Sequence, residues 1–338
     1  MLKINVCVEG SNDWLFGDLS RGFERTHIEG IEVIASEAPI QDAGGWIFIR
    51  TDEAATSPDF SRTVVCIHDL YNHDGMYEPG QPRRQALQAK GIVLCHPHQR
   101  QILEQAGIDL SNASVLERPL GALREFTVRR NPPGKKFRVG WVGREHPRKR
   151  TAWFAEALRC FAAASKAPVL SCQAKDVVAV LIGKDLVSLR QRLESDGICC
   201  EYFDRSQVSI GDYPGLYQQL DCVAITSSTE AGPLPLFEAL ATGVPVISTP
   251  VGWAPWLASQ APNFVFLADC PNDIAGHLET IRSRREELFV SRFEIAAAVE
   301  NYRLDDWFHE VLRLASGLCQ GKIETTCRAW PFSVQRQG

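Results

Sequence analysis

The chain of 338 residues has eleven cysteines but no CxxC pair and no regular cysteine spacing. A disulfide framework or a zinc site would need one or the other, so the thiols are expected to be reduced, mostly small core residues, and no metal site is expected. Long apolar runs are also missing. No window approaches the roughly 20 apolar residues that span a bilayer, and Met1 to Val8 is too short for a signal-peptide core; it reads as a first buried strand. Positive charge is not in excess either: the net charge of -5 argues against a surface built as a whole for nucleic acid. The expectation is a cytoplasmic protein with, at most, peripheral contact at the inner face of a membrane. Its oligomeric state is left open.

With 45% hydrophobic and 23% charged residues, the chain is ordinary globular protein, past the length at which one core keeps growing. Short apolar runs at Ile4–Val8, Ile31–Ala35, Trp46–Ile49, Val64–Ile67, Ile92–Cys95 and Ser114–Leu116 read as parallel-sheet strands. They alternate with the helix-like stretches Leu15–Arg25, Arg83–Lys90 and His98–Ala106, giving a doubly wound α/β pattern. Asn131 to Lys136, NPPGKK, breaks both periodicities and is taken as the linker. The alternation then restarts with strands at Phe137–Val142, Val177–Ile182, Glu201–Phe203, Cys222–Thr226, Pro245–Ser248 and Val265–Leu267. Helices are expected at Thr151–Ala164, Leu186–Glu194, Ser291–Glu300 and Asp305–Ala315. The predicted division is 1–132, 133–290, and 291–338, the third holding C-terminal helices, of which the last crosses back to the first domain, and a polar tail. Two such α/β halves place strand carboxyl ends around a central cleft, the usual ligand position in these sheets.

Two stretches carry chemistry. In Thr226 to Pro250, TSSTEAGPLPLFEALATGVPVISTP, Glu230 and Glu238 stand eight positions apart around a Gly-Pro-rich loop. Pro235 suits a first helical turn and Gly243 a C-terminal stop, so the two carboxylates flank a helix N-terminus whose free amides suit an anion. In Val139 to Arg150, VGWVGREHPRKR, a strand and glycine turn at Gly143 precede Arg144 and Lys149, cations five positions apart that fit a diphosphate. A basic loop that merely caps its strand is the alternative. The other basic runs, Arg129–Arg138 and Arg282–Arg285, read as solvated faces.

Together these residues resemble the retaining glycosyltransferases of family 4, with their two-Rossmann GT-B fold and E-x7-E motif. Gly143, Arg144, Lys149, Glu230 and the run Glu238-Ala239-Leu240-Ala241-Thr242-Gly243-Val244-Pro245-Val246-Ile247 carry the likeness. The resemblance implies that Arg144 and Lys149 bind the diphosphate of a nucleoside diphosphate sugar, that Glu230 contacts the transferred sugar, and that Glu238 holds the ribose hydroxyls. Gly143, Gly232 and Leu234 would line the donor. It implies a metal-independent transfer of a hexose to a hydroxyl acceptor (glycan, glycolipid or natural product), needing no cofactor beyond the donor substrate and no Asp-x-Asp motif. His68, in the strand-end run Val64-Val65-Cys66-Ile67-His68-Asp69, resembles the cleft histidine of the acceptor side, though its own strand-end backbone could satisfy it. Gly10, after the first strand, stands where relatives keep a glycine-rich loop, and reads first as an ordinary strand-to-helix turn. One departure is Pro233, where many relatives have glycine; it removes an N–H and fixes φ. Another nucleotide-sugar enzyme of the same fold, an epimerase or hydrolase, and a non-catalytic nucleotide-sugar-binding subunit remain the alternatives.

Overall fold

A computed structural model of the protein describes residues 1–8, 14–68, 85–164 and 176–321. The chain divides into two compact units, Met1–Leu120 with the chain from Leu304 onward, and Gly121–Arg303. Each is built on six parallel strands.

In the first unit the strands are β1 (Leu2–Cys7), β2 (Ile31–Ser36), β3 (Gly45–Phe48), β4 (Thr63–Ile67), β5 (Gly91–Leu94) and β6 (Ser114–Glu117). Their spatial order is 2-1-3-4-5-6, with every pairing parallel. β3, β4 and β5 are buried along their whole length, which is why they are continuous apolar runs; β2, at an edge, is half-buried throughout. Asn5 is the polar exception inside the sheet. Its amide donates to the Ile34 carbonyl (2.9 Å) and to Ser36 Oγ (2.8 Å), while its oxygen accepts from Ile40 N, so it locks the loop after β2.

Helix α1 (Trp14–Arg25) and the C-terminal helix Leu304–Cys319 both belong to this unit. A Cβ on Gly22 would lie 2.1 Å from the Phe308 ring, so only glycine lets the two helices approach this closely. Trp307, Phe308 and Phe23 pack together there, with ring centroids 4.8–5.6 Å apart.

The second unit holds β7 (Phe137–Arg144), α2 (Thr151–Ala164), β8 (Val177–Lys184), α3 (Val187–Ser195), β9 (Cys199–Asp204), α4 (Tyr213–Tyr217), β10 (Cys222–Ile225), α5 (Leu234–Ala241), β11 (Val246–Ser248), α6 (Ala254–Gln260) and β12 (Val265–Leu267). Three helices, Pro271–Ser283, Arg285–Val290 and Arg292–Ala297, complete it. The sheet order is β12-β11-β10-β7-β8-β9. Numbered within the unit this is the 3-2-1-4-5-6 order of dinucleotide-binding sheets, and the strand order reverses between β7 and β10.

The division differs from the one expected at 132/133. Asn131 to Lys136 is a turn inside the second unit: Arg285 donates to the carbonyls of Gly134 (2.7 Å) and Lys136 (2.5 Å). Upstream of it, Ala122 N donates to Tyr302 O (3.2 Å) and Arg129 N to Thr242 O (3.0 Å), fastening residues 121–130 to the same unit. At the C-terminal side the change comes at 303/304, so Arg292–Ala297 stays with the second unit.

Two of the basic runs are likewise not solvated faces. Arg129 is 3% exposed; Arg285 grips Asp221 with two hydrogen bonds (2.8 and 2.6 Å), and Arg138 grips Glu201 with two (2.8 and 2.6 Å). Among the described residues no helix is long and apolar enough to cross a membrane.

Candidate functional site

The reversal of strand order between β7 and β10 puts the loops that follow these two strands side by side. After β7 the chain makes a single 3-10 turn, Pro147–Lys149. Its start is fixed by Pro147 at the first helical position and by the His146 ring, whose Nδ1 accepts from Arg148 N at 3.3 Å. Its end is fixed by Arg150, which adopts a left-handed conformation (φ 46°, ψ 50°) and lays its guanidinium over Trp153 at 4.5 Å. A non-glycine residue held so costs about 1 kcal/mol or more, which the neighbouring contacts must offset.

The loop after β10 is stitched to that turn. Ser228 N donates to the Arg148 carbonyl (2.7 Å), and Thr226 Oγ1 donates to the Lys149 carbonyl (2.7 Å) while accepting from Trp141 Nε1 (3.1 Å). From the other side Thr249 Oγ1 donates to the Ser227 carbonyl (2.6 Å). Farther along, Gly252 (φ 53°) lies so close that a Cβ there would meet the Ala231 carbonyl oxygen at 2.8 Å and Pro233 at 3.0 Å.

These stitches deliver one carboxylate to two cations. Glu230, 9% exposed, is ion-paired with Lys149 Nζ through Oε1 and with Arg148 Nη1 through Oε2 at 3.2 Å; Ser227 Oγ donates to Oε1 at 2.8 Å. Burial pushes the Glu230 carboxyl up, but the Lys149 and Arg148 charges, with hydrogen bonds from Lys149 and Ser227, overcome it and hold the group below its ordinary pKa. The cluster is therefore ionised and charge-dense.

Lys149 and Glu230 thus meet, as their places in the sequence suggested. Arg144 does not join them: it is exposed at the end of β7, in register with Lys184. Arg148 takes that place, a residue the five-position spacing passes over. Its only sequence signal is its neighbourhood, a cation between a proline-started turn and Lys149. Gly143 is buried at φ 152° beside Gly183, whose own Cβ would come within 1.6 Å of the Gly143 carbonyl oxygen, so the backbones of β7 and β8 crowd there.

Pro233 occupies the N-cap of α5, buried, with φ -65° and its carbonyl accepting from Leu236 N at 3.0 Å. Gly232 and Leu234 flank it, both half-buried. With prolines at 233 and 235, the first turn offers fewer backbone donors than an ordinary helix start. One turn into α5, Glu238 is 8% exposed and accepts from the Tyr217 hydroxyl at 2.5 Å. Burial raises its pKa to about 7 against the opposing pull of that hydrogen bond and the Arg205 charge.

His68 belongs to the first unit, half-buried just after β4, with its ring 6.1 Å from that of Trp307. Gly10 and Asp69 lie outside the described residues. His96 is buried as well; its Nδ1 accepts from His98 N at 3.0 Å, and burial lowers its pKa to about 4.

Residues 136–283, the span containing this site, match the family model described as Glycosyl transferases group 1. No curated protein matches the chain in sequence. Solved structures share the fold across both units. WaaG, a glycosyltransferase involved in lipopolysaccharide biosynthesis, is 13% identical with a TM-score of 0.64, over 93% of this chain and 99% of its own. Anabaena Alr3699/HepE, solved in complex with UDP and glucose, is 14% identical with a TM-score of 0.66, over 94% of this chain and 100% of its own. A chain of the GtfA/B complex is 18% identical with a TM-score of 0.55, over 81% of this chain, which spans 57% of that one. The architecture is GT-B, two Rossmann-like α/β domains.

Proposed function

We propose that the protein is a retaining, metal-independent glycosyltransferase that moves a hexose from a nucleoside diphosphate sugar to a hydroxyl acceptor. The observation that carries this reading is the cluster of Glu230, Lys149 and Arg148 at the point where the strand order of the second sheet reverses, the position at which such sheets take their ligands. Without donor, Glu230 is the counter-ion of both cations. A diphosphate arriving at Lys149 and Arg148 replaces that counter-charge, and the carboxylate oxygens so released accept hydrogen bonds from the sugar hydroxyls. In the transition state negative charge builds on the leaving diphosphate, and the same two cations stabilise it more than they stabilise the ground state. Glu238 takes the ribose hydroxyls. His68 is the candidate contact on the acceptor side, and Arg144 a candidate outer contact to the diphosphate.

The presence of UDP and glucose in the HepE structure makes UDP-glucose the first donor to try. Release of nucleoside diphosphate in the presence of hydroxyl acceptors is followed for the native protein and for Glu230→Ala and Lys149→Ala. Loss of turnover by at least about a hundredfold in both, with circular dichroism unchanged, supports the reading. Full activity in both rejects it. Pro233 and Pro235, which remove amides from the helix start, favour a second reading: a subunit that binds the nucleotide sugar and does not turn it over. Saturable donor binding with neither transfer nor hydrolysis selects that one.

A further inference from the structure

Among the described residues the Glu238 carboxylate accepts one side-chain hydrogen bond, from Tyr217 to Oε2, although a carboxylate has about four acceptor sites and this residue is only 8% exposed. Oε2 is occupied, while Oε1 is not among the sealed-off buried oxygens and is open to a donor from outside the chain. The donor it does have is unusually well fixed. Tyr217 is 0% exposed, its ring stands edge-on to Phe126 at 5.3 Å, and its carbonyl accepts from Leu220 N at 3.0 Å. Phe126 is held in turn by Arg303, whose guanidinium donates to its carbonyl at 3.2 Å, and the adjacent Gln218 side chain donates to the Thr127 carbonyl at 3.1 Å. Burial and the Glu238 charge keep the Tyr217 hydroxyl protonated, hence a donor.

We infer that Tyr217 is a positioning residue for the nucleotide: it holds Glu238 by Oε2 so that Oε1 is the fixed acceptor for the vicinal hydroxyls of a ribose. The inference rests on the donor reading above and adds to it the group that sets the carboxylate's orientation. A diol suits Oε1 because it brings two O–H donors to one carboxylate, whereas a sugar lacking one of them supplies one donor fewer. Loss of the tyrosine hydroxyl frees the carboxylate to rotate and also removes a contact that favours its ionised form.

The test is calorimetric binding of UDP, GDP, ADP and CDP, of the 2′-deoxy form of the tightest binder, and of inorganic pyrophosphate, to the native protein and to Tyr217→Phe. The variant keeps the ring and its contact with Phe126. The expected result is a roughly ten- to hundredfold weaker nucleoside diphosphate, a collapse of the preference for ribose over 2′-deoxyribose, and unchanged pyrophosphate affinity, since pyrophosphate needs only Lys149 and Arg148. An equal loss for pyrophosphate, or unchanged ribose preference, overturns the inference while leaving the donor reading standing. Failure of the native protein to bind any of the four nucleotides removes the donor reading itself and this inference with it. Should Tyr217→Phe unfold at the assay temperature, Glu238→Gln, which keeps an oxygen for Tyr217 to donate to, must show the same selective loss.

Discussion

Lys149→Ala puts the electrostatics of the site to a quantitative trial. The residue is 17% exposed and its carboxylate partner 9%, so the pair is largely desolvated, and removing one member of a buried pair typically costs about 3–5 kcal/mol because the other is left uncompensated. Here Glu230 is not left alone: Arg148 remains at 3.2 Å and Ser227 at 2.8 Å, and Arg148 is one-third exposed, so its screening by water limits what it can make up. The expected loss is therefore somewhat smaller, about 2–3 kcal/mol, which for a unit of this size is about 4–12 °C in its melting transition. Differential scanning calorimetry on Lys149→Ala, Glu230→Ala and the double variant gives the coupling between the two directly, and about 1 kcal/mol or more is expected. Coupling under about 0.5 kcal/mol, or a Lys149→Ala transition within about 1 °C of native, refutes the claim that the cluster is a tightly paired one.

Two further outcomes follow from neighbouring residues. Glu238 has its folded pKa raised to about 7 from an ordinary 4.5, so its contribution to stability is full below about pH 4.5 and is lost as pH rises through 7. The groups acting on it are Tyr217, through its hydrogen bond, and Arg205, through its charge. Glu238→Gln, which cannot ionise, is expected to be more stable than native at pH 8 by up to roughly 3 kcal/mol, with the gap closing toward pH 4.5; urea melts across this range check it, and a pH-independent difference speaks against the assignment. Of the two arginines, Arg148→Ala is expected to weaken pyrophosphate binding about tenfold or more, while Arg144→Ala, exposed and outside the cluster, changes it by less than about threefold. Calorimetry with both variants decides, and the reverse order would restore Arg144 as the principal clamp.

Much of the fold was readable from burial chemistry alone. Strands covered on both faces must be apolar throughout, so runs such as Val64–Ile67 and Val177–Ile182 stand out without alternation. The Glu230 and Glu238 spacing was equally plain, because a proline-started helix and a glycine stop bracket it. The boundary was not, since Asn131 to Lys136 has the composition of a linker and only Arg285, some 150 positions later, makes it a fastened turn. Arg148 was hidden for a similar reason: its contact with Glu230 spans 82 positions and depends on the Ser228 amide reaching its carbonyl. Tyr217 reads as one more core aromatic in TyrProGlyLeuTyr, and its hydroxyl acquires meaning only when Glu238 is placed against it. The helix Pro271–Ser283 is a different case, because Ile274, Leu278 and Ile281 carry the i, i+4, i+7 spacing that signals it.

The most direct measurement is the anomeric configuration of the product formed from an α-linked nucleoside diphosphate hexose, followed by NMR from the first turnovers alongside release of the nucleoside diphosphate. The account predicts an α-linked product with the native protein and none with Glu230→Ala. A β-linked product, or an α-linked one formed at the native rate by Glu230→Ala, contradicts it.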